Sequence, residues 1–367
     1  MDLFSPVTLG DFELPNRVVM APLTRMRAEA DGTPNALIAE HYAQRASTGL
    51  IVTEGTYPSA ESRAYAHQPG IVTDAHVAGW RQVAEAVHAR GGHLFLQVMH
   101  GGRVSHTAIT GTDRVVAPSA IAISQGEAHL PDGTKAPYPV PHALTREEVR
   151  SVVDDFVAAA RRAVDAGLDG VEIHSANGYL LHEFLAPGSN HRDDEYGGSP
   201  EDRARLGVEV ATAVAEAIGA GRVGIRISPA HNIQDAWEQD PADVEATYQA
   251  LVEGLRPLGL AYLSVLHADP AGDLVQGLRK RFEGHLMANS GFGVVTSRQD
   301  ALDLIADGVA DSVAVGRMVI ANPDLVERWA DGHPENEPNP ATFYAPGATG
   351  YTDYPFLDGR TTAQPTA

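Results

Sequence analysis

The sequence predicts an α/β fold, a (β/α)8 TIM barrel that forms a single domain over residues 1–360. Apolar runs typical of strands alternate with segments of helical periodicity, and the alternation repeats eight times. Eight parallel strands joined by helices close into a barrel. The length of 367 residues agrees, because such barrels span about 200 to over 400 residues. Residues 361–367 are predicted to form a disordered tail.

The predicted elements follow one another regularly. Short apolar runs flank the turn Leu9-Gly10-Asp11-Phe12 and predict an N-terminal hairpin that closes one end of the barrel. The predicted strands cover residues 18–21, 50–55, 93–99, 169–174, 223–228, 262–266, 286–289 and 312–316. The predicted helices cover residues 34–46, 75–89, 145–166, 200–218, 241–255, 274–282, 297–307 and 323–329.

Two proline-rich segments interrupt this alternation. Residues 101–142 predict a long loop after strand 3 on the catalytic face, although an insertion without function would have the same pattern. The tail after Gly332 is also rich in Pro and Gly. Its aromatic residues predict that it packs on the barrel, and they are Phe343, Tyr344, Tyr351, Tyr354 and Phe356.

The composition excludes several classes of function. The chain has no cysteine, which excludes disulfides, thiolate nucleophiles and iron–sulfur clusters. None of the 16 histidines has metal-ligand spacing, so no metal site is expected. The formal charge of −21 argues against nucleic acid and anionic membranes as partners. We expect a cytoplasmic protein, monomer or homodimer, that acts on a small molecule, since neither a membrane-spanning run nor a signal-like N-terminus is present.

The stretch from His174 to Glu183 places three polar groups behind one short strand. Asn177 lies three residues after His174, so a helical turn would bring both side chains to one face as neutral hydrogen-bond donors. Tyr179 adds a phenol that is protonated at neutral pH and can give up its proton. Together they could hold and protonate a substrate with a carbonyl or nitro oxygen. The alternative is a structural tie between loops.

Strand alternation turns more polar side chains toward the same place. It directs Gln97, His174 and Arg226 into the barrel at the ends of three neighbouring strands, and Thr24 ends the first strand. A buried Arg and Gln need partners. Either a structural network with Glu172 or an anionic, amide-bearing ligand could supply them. Because three such side chains converge, the ligand is the favoured interpretation.

The last two strands end in glycine-rich turns, residues 289–293 (NSGFG) and Gly316-Arg317. Glycines there let backbone N–H groups approach an anion, at the place where barrels commonly bind phosphate. Arg317 supplies a countercharge. A phosphate site beside amide-binding groups has the outline of a site for flavin mononucleotide (FMN).

Specific motifs run through the chain from about Phe4 to Phe356. They are residues 16–25 (NRVVMAPLTR), 53–56 (TEGT), Gln97 before 100–103 (HGGR), 174–184 (HSANGYLLHEF), 194–199 (DEYGGS), 203–205 (RAR), 316–317 (GR), 321–325 (ANPDL) and 350–355 (GYTDYP). In this order and spacing they resemble the old yellow enzyme family of FMN-dependent ene-reductases, which use NADPH or NADH to reduce activated carbon–carbon double bonds.

The resemblance implies a barrel that binds FMN non-covalently. The isoalloxazine ring would be lined by Pro22, Leu23, Thr24, Gly55, Gln97 and Arg226. The phosphate would be held by Ser290, Gly291, Gly316 and Arg317. Thr24 would tune the ring through a hydrogen bond, and Arg226 would stabilise negative charge on the reduced ring.

The resemblance also implies the substrate site. His174 and Asn177 would bind the oxygen of the activating group, and Tyr179 would protonate the neighbouring carbon. The pocket would be bordered by Tyr65, Met99 and Tyr344. Met99 stands where many relatives carry a bulky aromatic residue, which predicts a roomier pocket. Asp194, Tyr196 and Arg203 are interpreted as structural support for the loop after strand 4.

The implied mechanism is a two-step exchange. NADPH or NADH reduces the flavin and leaves, and an activated alkene then enters the same pocket. No strand is followed by a Gly-x-Gly-x-x-Gly fingerprint, so a separate nicotinamide domain is not expected and donor and acceptor share one site. The kinetics are therefore predicted to be ping-pong.

Two other functions remain open at this point. A flavin-free barrel lyase or isomerase could bind the phosphate of a metabolite with Arg317 and use Glu172 or His174 as a base. A flavin-binding protein without a productive acceptor could serve as a sensor or store. A yellow protein that releases FMN on denaturation would argue against the flavin-free enzyme. Bleaching by NADPH followed by recolouring with an enone would argue against the sensor or store.

Overall fold

The computed structural model describes residues 1–361 and contains a closed barrel of eight parallel strands. In chain order, the strands inside and outside the barrel are β1 (Val7–Leu9), β2 (Phe12–Leu14), β3 (Val18–Met20), β4 (Leu50–Val52), β5 (Leu94–Val98), β6 (Val116–Ala117), β7 (Ala128–His129), β8 (Lys135–Ala136), β9 (His142–Ala143), β10 (Gly170–Ser175), β11 (Val223–Ile227), β12 (Tyr262–Leu266), β13 (Leu286–Asn289) and β14 (Ser312–Val315). The barrel runs β3-β4-β5-β10-β11-β12-β13-β14 and closes by pairing of β14 with β3. The predicted fold class is confirmed. Apart from Thr361, the predicted disordered tail lies outside the described residues.

Helices connect the barrel strands. They are α1 (Ala36–Ala43), α2 (Asp74–His88), α3 (Thr107–Thr110), α4 (Arg146–Asp165), α5 (Leu180–Leu185), α6 (Pro200–Ile218), α7 (Pro241–Leu255), α8 (Asp273–Phe282), α9 (Arg298–Ala306), α10 (Arg317–Ala321) and α11 (Leu325–Asp331). Within residues 1–361, no helix is both long and apolar enough to cross a membrane.

Local capping explains why two helices have the predicted bounds. The side chain of Ser199 accepts a hydrogen bond at the start of α6, and Asp240 does the same for α7. A proline follows each cap, at the first helical position, where its missing N–H costs nothing. By contrast, α5 and α10 were not predicted. Each is short and lies within a segment that was interpreted as part of the functional site.

The N-terminal hairpin closes one end of the barrel, as predicted. Leu9 and Leu14 are buried against Phe95 and Tyr262, whose side chains fill the barrel interior. Gly10 turns the hairpin with a φ of 55°. A Cβ atom there would lie 2.0 Å from the carbonyl oxygen of Gly221, so only glycine fits.

The long loop after the third barrel strand has structure of its own. It contains helix α3, the short antiparallel pair β7–β8 and the parallel pair β6–β9. The fourth barrel strand is preceded by this loop and by α4. The predicted strand 50–55 ends at Val52. Beyond it, the carboxylate of Glu54 accepts the backbone N–H groups of Arg25 and Met26.

Two buried arginines fasten the C-terminal tail to the barrel. Arg25 donates to the carbonyl groups of Phe343 and Gly350. The ring of Tyr351 is fully buried, stacks on His41 with 3.8 Å between centroids, and lies 4.3 Å from the guanidinium carbon of Arg27. The prediction that the aromatic tail packs on the barrel is therefore correct here.

Changing Arg27 to Lys is expected to loosen the tail. Arg27 donates hydrogen bonds to four tail carbonyl groups, those of Thr342, Phe343, Gly347 and Thr349. Lys lacks the planar fork that reaches several acceptors. We expect unfolding free energy to fall by about 2 to 4 kcal/mol and limited proteolysis to cut within residues 340–350.

The matched control is Arg281→Lys. Arg281 forms an exposed ion pair at 3.5 Å with Glu253, and such pairs contribute little. Equal proteolysis of both variants would contradict a specific role for Arg27.

Candidate active site

Four polar side chains lie inside the barrel toward the carboxyl-terminal ends of neighbouring strands. Gln97 pairs in register with Glu172 across β5 and β10, and His174 pairs with Arg226 across β10 and β11. Each of them is at most 3% exposed. The alternation predicted for these strands is correct: Leu94 and its outward neighbours pack under the helices, while Gln97 faces inward.

A buried carboxylate organises the floor of this site. Glu172 accepts hydrogen bonds from Gln97 Nε2 at 2.8 Å and from the hydroxyl of Tyr262 at 3.0 Å. Burial raises the pKa of Glu172, and the positive charge of Arg226 opposes this shift. The structural network considered from the sequence therefore exists for Gln97. Tyr262 completes it, although strand alternation alone did not identify this residue as part of the site.

Arg226 differs from Gln97 in having unused donors. Its Nε and Nη1 atoms are buried without a hydrogen-bond partner among the described residues. An unpaired buried donor costs about 1 to 3 kcal/mol. This arrangement suits a ligand with oxygen or nitrogen acceptors, which the pyrimidine end of an isoalloxazine ring carries. The residues present thus fit the group that the resemblance implies.

The chain from His174 to Asn177 does not form the predicted helical turn. Strand β10 continues to Ser175, and Asn177 and Gly178 then both take left-handed conformations with φ of 60° and 79°. Asn and Gly tolerate this conformation best. The backbone N–H of Asn177 donates to Ser228 Oγ at 2.8 Å. The prediction of a helical turn between His174 and Asn177 is therefore wrong, because Asn177 and Gly178 both take the left-handed conformation.

His174 is neutral near pH 7. Burial, and then the positive charge of Arg226, hold the pKa of its imidazole well below the ordinary value of 6.5. A neutral imidazole carries one N–H donor. Its Nδ1 and the side-chain oxygen of Asn177 are buried and find no partner within residues 1–361. Polar atoms of both side chains are thus available to a ligand.

Tyr179 lies beside His174, with 5.2 Å between ring centroids. Its hydroxyl oxygen is 2.7 Å from that of Tyr65. Burial raises the pKa of Tyr179 to about 12, while hydrogen bonds from Tyr65 and Gln234 oppose the shift. The phenol is therefore protonated at neutral pH. Gln234 was not predicted, since it lies in the loop after β11 and belongs to no periodic pattern.

An apolar wall surrounds the phenol. Met99 is buried there beside Tyr179, with Tyr65 and Tyr138 partly buried at its edge. The sulfur of Met99 would lie 2.5 Å from a Cβ atom added at Gly55, so the glycine allows this packing. The remaining predicted pocket residue, Tyr344, is 64% exposed on the tail.

The predicted phosphate residues lie together at the ends of β13 and β14. Arg317 Nη2 donates to the carbonyl group of Phe292 at 2.6 Å, which joins the two turns. Gly291 has a φ of 89°, and Ser290 precedes it. Leu23 lies 3.5 Å from a Cβ atom built at Gly316. The half-buried residues 22–24 and the phosphate turn are therefore neighbours.

A second buried carboxyl group lies behind the site and was not predicted. Glu183 Oε1 accepts the backbone N–H of Arg103 at 2.9 Å. The guanidinium of Arg103 donates to the carbonyl groups of Ile121 and Gln234. Burial raises the pKa of Glu183 to about 8, against the attraction of Arg103. These contacts tie the long loop to the loop after β11.

The interpretation of Arg203 as support for the loop after the fourth barrel strand is consistent with its contacts. Its Nε donates to the carbonyl group of Leu185 at 2.9 Å, and Nη2 binds Asp243 at 2.7 Å. No group of three histidine, aspartate or glutamate side chains that could hold a metal occurs within the described part of the chain.

A parallel barrel with neutral donors, an acid and an unpaired guanidinium at the carboxyl-terminal ends of its strands defines a barrel enzyme. A model of the NADH:flavin oxidoreductase / NADH oxidase family matches residues 2–336. The chain belongs to this family.

Known proteins of similar sequence and structure agree. The chain is 43% identical over 364 residues to a probable flavin mononucleotide-dependent alkene reductase of Leishmania infantum, covering 97% of each chain. It is similar to the structure of morphinone reductase in complex with tetrahydroNAD, with 45% identity, a TM-score of 0.91 and 98% of each chain covered. It is also similar to an old yellow enzyme homologue from Zymomonas mobilis, with 39% identity, a TM-score of 0.91 and coverage of 97% of this chain and 100% of that one.

The predicted membership of the old yellow enzyme family is therefore confirmed, and the chain is a flavin-dependent oxidoreductase. The alternative of a flavin-free lyase or isomerase is not supported, because the matching family and the similar proteins named above carry out flavin or reductase chemistry.

Changing Glu183 to Gln tests the buried carboxyl group. Its pKa is raised from 4.5 to about 8 in the folded chain, so between these pH values the folded state binds more protons than the unfolded state. The contribution of Glu183 to stability is thus lost as pH rises through this window, by at most about 1.4 kcal/mol per pH unit. We expect the Gln variant to gain stability relative to the wild type from about pH 5 to about pH 8, measured by urea unfolding. A difference independent of pH would contradict the raised pKa.

Proposed function

We propose that this chain is an FMN-dependent ene-reductase in which the residues described above bind FMN and an alkene activated by a carbonyl or nitro group. The observation that carries the proposal is Arg226, a buried guanidinium with two unused donor atoms next to a neutral His174. Bound FMN would supply hydride transfer from a nicotinamide donor to the alkene. The choice between NADPH and NADH is left to experiment.

Arg226 would stabilise negative charge on the reduced ring. Glu172 keeps the guanidinium oriented by its opposite charge, and Gln97 and Tyr262 hold that carboxylate. Pro22, Leu23, Thr24 and Gly55 would line the ring. Ser290, Gly291, Gly316 and Arg317 would hold the phosphate, supported by their proximity at the ends of β13 and β14.

His174 and Asn177 would bind the oxygen of the activating group. A donor that stays neutral can strengthen its hydrogen bond as charge grows on that oxygen, without repelling Arg226 beforehand. Tyr179 would then deliver a proton to the carbon next to the activating group. Tyr65 would donate its hydroxyl to the oxygen of Tyr179, which leaves the proton of Tyr179 free to point into the pocket. Met99 and Tyr344 would border the substrate.

The decisive experiment follows the flavin. The purified protein should be yellow and should release FMN on denaturation, bleach anaerobically with NADPH or NADH, and regain its colour when cyclohexenone is added. Initial rates against both substrates should give parallel lines, because donor and acceptor use one site in turn. Colourless protein, flavin that no nicotinamide bleaches, or intersecting lines would each contradict the proposal.

Changing Tyr179 to Phe should separate the two half-reactions. Flavin reduction by the nicotinamide should stay near the wild-type rate, because no proton from the phenol is needed. Reoxidation by the enone should slow by about 10²- to 10⁴-fold. Stopped-flow absorbance measures both steps. Tyr354→Phe, on the tail, removes a hydroxyl outside the pocket and should leave both rates unchanged. An unchanged enone step in Tyr179→Phe would remove this residue from its role.

A further inference from the structure

The turn that carries Asn177 and Tyr179 is held by a residue to which no role has been given. The backbone N–H of Gly178 donates to Nδ1 of His182 at 2.8 Å. His182 is the third residue of α5, which begins directly after Tyr179. Its ring is completely buried. The side chain of an early helical residue thus fixes the backbone immediately before that helix.

A buried carboxylate lies behind His182. Oε1 of Glu238 is 3.4 Å from Nε2 of His182, with the side chains 2% and 0% exposed. This distance is within the range of an ion pair, but the two atoms are not aligned for a hydrogen bond. Since Nδ1 accepts the N–H of Gly178, the ring proton of His182 lies on Nε2, the atom nearer to Glu238. Glu238 therefore favours the tautomer that can hold the turn.

Glu238 is itself fixed within the 228–238 loop, which follows β11. Its Oε2 accepts the backbone N–H of Ala230 at 2.7 Å, and its backbone N–H donates to the side chain of Asn232 at 2.6 Å. Four non-glycine residues of this loop have positive φ, namely Ala230, Asn232, Gln234 and Asp235. Such conformations are strained and persist where surrounding contacts enforce them.

The same loop contacts the turn at three further points. Ser228 Oγ accepts the N–H of Asn177, and Gln234 Nε2 donates to the carbonyl group of Asn177 at 3.2 Å. A Cβ atom at Gly178 would lie 2.8 Å from the carbonyl oxygen of Ile233. Both peptide groups that flank Asn177 are thus bound from the loop, and the N–H of the second group, on Gly178, is bound by His182.

We propose that His182, supported by Glu238, is a positioning residue that holds the Asn177–Tyr179 turn in its left-handed conformation so that both side chains reach the substrate. The inference rests on the proposed function of Asn177 and Tyr179. His182 does not touch the substrate. It acts through the N–H of Gly178, and a shift of the turn by about 1 Å can reduce a rate about 10²-fold.

Two substitutions at His182 separate positioning from packing. His182→Phe keeps a ring but removes the acceptor, whereas His182→Asn keeps an acceptor oxygen on Cγ, where Nδ1 is attached. For His182→Phe we expect the FMN content of the wild type, a Kd for cyclohexanone raised about tenfold, and enone reduction slowed by about 10- to 100-fold. For His182→Asn we expect recovery of most of the rate. The ketone, which cannot be reduced by this chemistry, is titrated by its effect on flavin absorbance, and enone reduction is followed by stopped flow.

The control is His333→Phe, an exposed histidine far along the chain from the site, which should leave all values unchanged. If His182→Phe fails to fold, Glu238→Gln replaces it, with an expected slowing of enone reduction at normal FMN content. The inference is overturned if the folded variant binds and reduces like the wild type, or if His182→Asn is as slow as His182→Phe. A wild-type protein that does not reduce enones would instead contradict the proposed function.

Discussion

The buried guanidinium of Arg226 is the interaction on which the site depends. A guanidinium buried inside a barrel needs an opposite charge nearby and acceptors for its hydrogen-bond donors. Glu172 supplies the charge, and it is held in turn by Gln97 and Tyr262. However, two donor atoms of Arg226 stay unpaired within residues 1–361. The fold therefore stabilises the cation while leaving part of its hydrogen-bonding capacity free, a combination expected of a binding group rather than of a purely structural one.

Burial, and after it the charge of Arg226, determine the protonation of the neighbouring His174. Together they hold the pKa of His174 far below its ordinary value, so this imidazole donates without being cationic. Burial acts in the opposite direction on a phenol and raises the pKa of Tyr179 to about 12. One apolar environment thus produces a neutral donor and a protonated acid side by side. Tyr65 limits the shift of Tyr179 by bonding to its oxygen, which also stabilises the phenolate left after proton transfer.

Features encoded by local periodicity could be predicted, and features made by loop contacts could not. The inward direction of Gln97 and Arg226 follows from alternation along a strand, and the bounds of α6 follow from its Ser-Pro start. The turn at Asn177 was predicted as helical because spacing does not reveal that both it and Gly178 are left-handed. Glu183, His182 and Gln234 depend on contacts between residues far apart in the chain or on burial. No periodic pattern records such contacts.

The tail and the loops after the first two barrel strands form one mechanical unit. Residues 22–24 are followed directly by Arg25, and Gly55 is preceded by Glu54, whose carboxylate binds the N–H groups of Arg25 and Met26. Arg25 then reaches the tail through the carbonyl groups of Phe343 and Gly350. Since Tyr344 lies next to Phe343, its position depends on the same arginine. The loops after the first two barrel strands and the tail are therefore fixed relative to each other by one carboxylate and its arginine.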